Sequence, residues 1–282
     1  MKNVTIDSHQ HFWRSPQKSD YIWMGPEHET IVRDYMPSDL KPILEKYGID
    51  IAITVQAAVT EQEGEFILGL ADSHDFIAGA VIWLDMESPD FESRLEYFGS
   101  HPKFLGIRPM IGAMDDDDWM LKKSVRQAFK VVHEKEVCFD FLIYPRHFKN
   151  ALKILVDYPE IRAVINHIGN PAIRRGQGYA LWADFMEQAA SYPNIFCKLS
   201  GMVSRAQWKA WTPDDFRPYV QHLLNIFGPA RLMFGSDWPP CLLAADSYGD
   251  VVDALKKNLL EVAALDQESI FGESAVRFYR LK

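Results

Sequence analysis

The sequence predicts an α/β fold, a (β/α)8 TIM barrel spanning residues 1–282 as a single domain. Three observations predict it. Eight short β-type runs start about 24 to 47 residues apart, helical segments lie between them, and chemically competent side chains gather where the runs end. Alternating strand and helix requires a parallel sheet, and eight such units close most economically into a barrel. The length of 282 residues sits near the ~250 typical of that fold.

In chain order the runs are Val4–Ser8, Ile51–Gln56, Phe76–Trp83, Phe104–Arg108, Val137–Ile143, Ile161–His167, Ile195–Ser200 and Arg231–Asp237. Their last residues, or the first beyond, include His9, His11, Arg108, Tyr144, His167, Lys198 and Asp237. All eight C-terminal ends of a parallel barrel open on one face, so these distant residues can line one pocket. Between runs the apolar spacing turns helical. Leu121, Val125, Ala128, Phe129 and Val132 form a stripe within 121–136, and Tyr248, Val251, Val252, Leu255, Leu259 and Val262 form another. One stretch departs from the pattern. The long connection 12–36 carries Phe12, Trp13, Tyr21, Trp23, His28 and Arg33, and long loops in compact domains are often lids or binding loops. The acidic run Asp115–Asp118 reads as a solvated helix start.

Bulk properties exclude several classes. A formal charge of −9 disfavours nucleic acid and anionic membranes, which require a basic footprint. No run approaches the ~20 apolar residues of a membrane span. No Gly-rich loop follows the first strand, which weakens a dinucleotide-binding reading. Cys138, Cys197 and Cys241 form neither a metal-ligand pair nor an even disulfide set. With no secretory signal at the N-terminus, a cytoplasmic protein is expected, as a monomer or homodimer.

The most specific local motif is Ile6-Asp7-Ser8-His9-Gln10-His11-Phe12. Alternation along a strand would put Asp7, His9 and His11 on the interior side, the two imidazoles at the mouth. Two histidines two apart suit metal ligation and hydrogen bonding alike. His167 ends the sixth run, where Gly169 and Pro171 force a turn, and Asp237 ends the eighth, next to the first strand in a closed barrel. A carboxylate there can accept a proton from water. Arg108 and Lys198 are the expected inward cations, whereas Arg146, after the fifth run, is expected to be a surface partner.

Together, Asp7-Ser8-His9-Gln10-His11-Phe12-Trp13, Cys197-Lys198-Leu199-Ser200-Gly201 and Phe234-Gly235-Ser236-Asp237-Trp238-Pro239 resemble the amidohydrolase superfamily. The likeness is closest to its lactonase branch, which acts on fuconolactone, rhamnonolactone and pyrone dicarboxylate. It implies a hydrolase with Asp237 as general base and His9, His11 and His167 around the reaction centre. Metal-dependent relatives commonly add a lysine carbamate or further histidine on middle strands; the fifth run offers only Asp140. No metal is therefore expected to be required, although a mononuclear zinc on His9, His11, His167 and Asp237 is chemically open. Relatives often carry a histidine where this chain has Pro109 and a lysine where it has Asn170.

The expected reaction opens a sugar-acid lactone to the aldonic acid, as in L-fucose breakdown. Asp237 deprotonates water, while a protonated His167, or Arg108 and Lys198, stabilise the oxyanion. Arg108, Lys198, His28, Arg33, Tyr144 and Trp23 are the expected substrate contacts. The few expected inward cations favour a neutral six-carbon aldonolactone over a dicarboxylate. Two rivals remain, a zinc-dependent decarboxylase and a non-catalytic barrel that binds sugar acids.

Overall fold

A computed structural model describes residues 4–14 and 20–281. Eight strands form one sheet in chain order, each neighbouring pair parallel: β1 (Ile6–Gln10), β2 (Ile51–Val55), β3 (Ile77–Ile82), β4 (Phe104–Ile107), β5 (Phe139–Phe141), β6 (Ala163–Ile165), β7 (Ile195–Leu199) and β8 (Leu232–Phe234). The sheet closes just past β8. There the Asp237 amide donates to the His9 carbonyl and the His11 amide to the Trp238 carbonyl, both at 2.8 Å. The helices are α1 (Pro37–Tyr47), α2 (Glu61–Ser73), α3 (Phe91–Gly99), α4 (Lys123–Glu134), α5 (Phe148–Asp157), α6 (Tyr179–Ala190), α7 (Met202–Arg205), α8 (Arg217–Phe227), α9 (Tyr248–Asn258), α10 (Ala264–Glu268) and α11 (Ser274–Tyr279). The fold is a (β/α)8 barrel, and no helix among the described residues is long and apolar enough to cross a membrane.

Helix burial follows the stripes in the sequence. In α4 the buried residues are Val125, Ala128, Phe129, Val131 and Val132, and the Phe129 ring meets Phe139 of β5 at 4.9 Å between centroids. Leu121, the expected first residue of that stripe, instead closes the 3-10 turn Trp119–Leu121. Helix α9 opens on a reciprocal cap: the Asp250 amide donates to Ser247 Oγ, and the Ser247 amide donates to the Asp250 carboxylate.

All eight expected runs hold strands, but the paired segments of the sixth and eighth stop well before His167 and Asp237. Those two residues have φ of 53° and 59°, in the left-handed region that a β ladder cannot contain. Their side chains therefore swing out of the pleat toward the mouth. At the first strand the expectation for Asp7 is corrected. Ile6 packs inside the barrel with Ile53, Val55 and Val81, and the β1–β2 register slips between Asp7 and Gln10. That bulge breaks the alternation, so Asp7 does not join the histidines. Its carboxylate instead accepts from Tyr248 of α9 at 3.0 Å.

Of the connection 12–36, residues 15–19 lie outside the described ones, and the described parts, 12–14 and 20–36, are tied down rather than loose. Trp13 and Tyr35 exchange two backbone hydrogen bonds, a 3-10 turn covers Pro26–Ile31, and Trp13 and Tyr35 are buried. The acidic run does more than face solvent. Asp117 pairs with Arg146, and Asp118 accepts from Asn150, which fastens this segment to the turn after β5 and to α5.

Candidate active site

Three imidazoles surround one carboxylate oxygen at the barrel mouth. Asp237 Oδ1 lies 3.4 Å from His11 Nε2, 3.8 Å from His167 Nε2 and 3.9 Å from His9 Nε2. Each ring is held from behind. His11 Nδ1 donates to the Val55 carbonyl at 2.7 Å, so a neutral His11 turns its Nε2 lone pair toward Asp237. Ser200 Oγ sits 2.9 Å from His167 Nδ1. His9 stands between two cations, with Arg108 Nη1 3.1 Å from its Nε2 and Lys198 Nζ 3.4 Å from its Nδ1.

Two glycines make room for these rings. A Cβ on Gly201, whose φ is +62°, would lie 2.5 Å from His167 Nδ1, and one on Gly235 would lie 2.6 Å from the His9 Cβ. Neither distance is tolerable, so the Leu-Ser-Gly and Phe-Gly-Ser segments are shaped to the histidines they pack against.

Burial sets the charge pattern. It pushes the His167 imidazole down to about 4, lowers His11, and with Lys198 nearby holds His9 well below its ordinary value. All three are neutral near neutral pH. The expected protonated His167 is thus replaced by a neutral one, and the positive charge beside the imidazoles falls to Arg108 and Lys198. Burial alone would raise Asp237, but His167 and His11, which attract the carboxylate once acid protonates them, and the permanent charge of Arg108 together keep it below the usual carboxylate range. An ionised carboxylate facing imidazole lone pairs attracts a proton donor such as water, or a cation. The ligand atoms of His9, His167 and Asp237 lie within 4.8 Å of one another, and with His11 beside them this nitrogen and oxygen set suits a single zinc ion.

Arg108 is locked in place. Its Nη2 donates to the backbone and side-chain oxygens of Gln56, its Nη1 lies 3.3 Å from Asn166 Oδ1, and its Nε is buried without a partner. The turn that carries Gln56 is itself held by Glu63, whose carboxylate accepts from the amides of Ala57 and Ala58. Burial pushes the Glu63 carboxyl up to about 8.

Above this cluster opens a cavity of about 430 Å³, lined by His11, His167, Asp237, Arg108, Tyr144, Trp23 and His28 among others. Trp23 Nε1 donates to the Ala57 carbonyl and its ring meets His28 edge-on. Two expected substrate contacts lie elsewhere. Lys198 is fully buried beneath His9 and bonded to Asp140 at 2.6 Å, because an ammonium in the barrel interior needs a counter-charge more than an opening. Arg33 is exposed, stacks on Tyr35 and reaches toward Asp39. Sequence reasoning passed over Ser200, Asn166 and Gln56, although Ser200 stands inside a quoted motif, and it passed over Ser204, Arg205 and Trp208, which line the cavity after β7 without any local signature.

The amidohydrolase family model matches residues 6–281, and this chain belongs to that family. It is 34% identical over 281 residues to an L-fucono-1,5-lactonase of Burkholderia ambifaria, an alignment covering 98% of this chain and 95% of that protein. A second L-fucono-1,5-lactonase, from Burkholderia multivorans, is 33% identical and covers 100% and 97%. Among solved structures, an amidohydrolase from Burkholderia multivorans with bound zinc superposes with a TM-score of 0.93 at 30% identity, covering 99% of this chain and all of the other.

Proposed function

We propose that this chain hydrolyses the lactone of a sugar acid, opening a neutral aldonolactone of the L-fuconolactone type to the free aldonic acid. The observation that carries this reading is the ring of three neutral imidazoles around one ionised carboxylate oxygen, beneath a cavity of a size that suits one sugar ring. Whole-length likeness to L-fucono-1,5-lactonases supports the substrate class.

Asp237 accepts a proton from water as the water oxygen attacks the lactone carbonyl carbon. Charge then builds on the carbonyl oxygen, and the guanidinium of Arg108 stabilises it, an effect worth several kcal/mol where water is excluded. The tetrahedral species collapses by breaking the bond to the ring oxygen. That alkoxide takes the proton held by Asp237, which restores the carboxylate and leaves the hydroxy acid. Trp23, His28 and Tyr144 offer aromatic and polar surface to the sugar.

A divalent ion held by His9, His11, His167 and Asp237 would add Lewis-acid polarisation of the carbonyl. Arg108 already sets a positive group 3.1 Å from His9 Nε2, and this supports turnover that does not require a metal.

The test is acid release from a panel of aldonolactones, before and after chelation, with zinc measured in the same samples. The expected outcome is saturable opening of a six-carbon neutral aldonolactone that chelation leaves largely intact. Loss of rate in proportion to zinc would overturn the metal-independent part. Carbon dioxide release from an aromatic acid, or sugar-acid binding without any product, would overturn the lactonase reading.

A further inference from the structure

Gly201, packed against His167, precedes the short helix α7, and Arg205 closes that helix. The Arg205 guanidinium carbon stands 5.0 Å from the centroid of the Tyr144 ring, and both residues line the cavity. Other cations near the mouth are held by protein oxygens. Arg108 bonds to Gln56 and Asn166, Lys198 to Asp140, and Arg146 to Asp117. The Arg205 Nε, like that of Arg108, is buried without an acceptor, but Arg205 differs in that no side-chain oxygen is paired with its guanidinium among the described residues. The neighbouring Ser204 Oγ is also buried and unpartnered, and it too lines the cavity. Polar groups left unpaired in a binding cavity are costly unless a ligand satisfies them.

No hydrogen bond or ion pair joins Arg205 to Asp237 or the imidazoles among the described residues, so it stands apart from the reacting atoms. We infer that Arg205 and Ser204, backed by the Tyr144 ring, form a specificity site for the hydroxyl oxygens of the sugar, so that the cavity selects polyhydroxylated lactones over unsubstituted ones. A guanidinium fork can donate to two neighbouring oxygens at once, which suits adjacent hydroxyls. This inference rests on the lactonase reading above.

The experiment compares the parent, Arg205→Met and Arg205→Lys on the best polyhydroxylated lactone and on an unsubstituted six-membered lactone, with the thermal midpoint of each variant as a folding check. Arg205→Met is expected to lose about 10- to 100-fold in kcat/KM on the polyhydroxylated lactone, mainly through KM, and less than about threefold on the unsubstituted one. Arg205→Lys, which keeps the charge but not the fork, should fall between. Equal losses on both lactones, or no loss on either, would overturn the assignment. Calorimetric binding of the aldonic acid product separates this claim from the reaction itself. Should the parent open no lactone, weaker aldonate binding by Arg205→Met would still support the site, whereas unchanged binding, or none by the parent, would overturn it.

Discussion

At the floor of the barrel, Ile6, Ile53, Val55, Val81, Val164, Phe196 and Met233 meet Ala275 and Phe278 of α11 in an apolar plug. At the mouth, one strand-length away, His9, His11, Arg108, His167 and Asp237 are buried and polar. The same eight strands supply both layers. Between them lies one charged layer, in which Asp140 accepts from Lys198, Asn166 and Tyr279. The comparison teaches where each layer's free energy goes. The floor gains stability from apolar burial at roughly 25 cal/mol per Å². The mouth holds desolvated imidazoles and a carboxylate in a pattern that a proton donor or cation completes, and it needs left-handed backbone at His167 and Asp237 to do so. Substitutions at the mouth should therefore cost rate, and those at the floor stability.

The largest separation is expected at Asp237. Asp237→Asn keeps the shape and removes the base, so kcat on the best lactone should fall about 10² to 10⁴-fold with little change in thermal midpoint. A variant that turns over within a few-fold of the parent would remove Asp237 from the base role.

Gly201→Ala probes the mouth through packing alone. The added methyl would meet His167 Nδ1 at 2.5 Å, and the imidazole must move. Misplacement by about 1 Å costs on the order of 10² in rate. The left-handed conformation adds roughly 1–2 kcal/mol of destabilisation. A variant with parent-like kcat would show that the exact seat of His167 is unimportant.

The pH profile sharpens the same contrast. Asp237 sits below the usual carboxylate range and His167 titrates at about 4, so the base stays ionised and the ring neutral down to that region. The acid limb of kcat/KM should then fall at or below about pH 4, as measured by steady-state rates across buffers. A limb centred near the ordinary histidine value would mean that a protonated imidazole is part of the working site.

The smallest effect is expected at the underside. Tyr279→Phe removes the hydroxyl that donates to Asp140 at 2.9 Å. Denaturant unfolding should show about 0.5–1.5 kcal/mol of lost stability. Lactone turnover should change by less than about threefold. A larger loss of rate than of stability would show that the charged layer acts on the reaction and not only on the fold.

The architecture and most mouth residues were legible because both depend on local periodicity. A run that ends at a polar residue followed by glycine or proline marks a strand end, and a closed barrel then brings His9, His11, His167 and Asp237 together. What was not legible depends on partners far apart in the chain. The bulge that turns Asp7 toward Tyr248 leaves no trace in an alternating motif. Lys198 looked like an open cation because its partner Asp140 lies 58 residues earlier on another strand. Arg205 carries no motif at all; its meaning comes from Tyr144, which β5 delivers to the same cavity.

The central claim, water activated by Asp237 at a lactone carbonyl, is tested most directly by turnover of the best aldonolactone in water enriched in heavy oxygen, parent beside Asp237→Asn. The account predicts one labelled oxygen in the product carboxylate, none in the released hydroxyl, and almost no product from the variant. Label in the hydroxyl group, or equal labelling of the carboxylate at equal rates by both proteins, would contradict it.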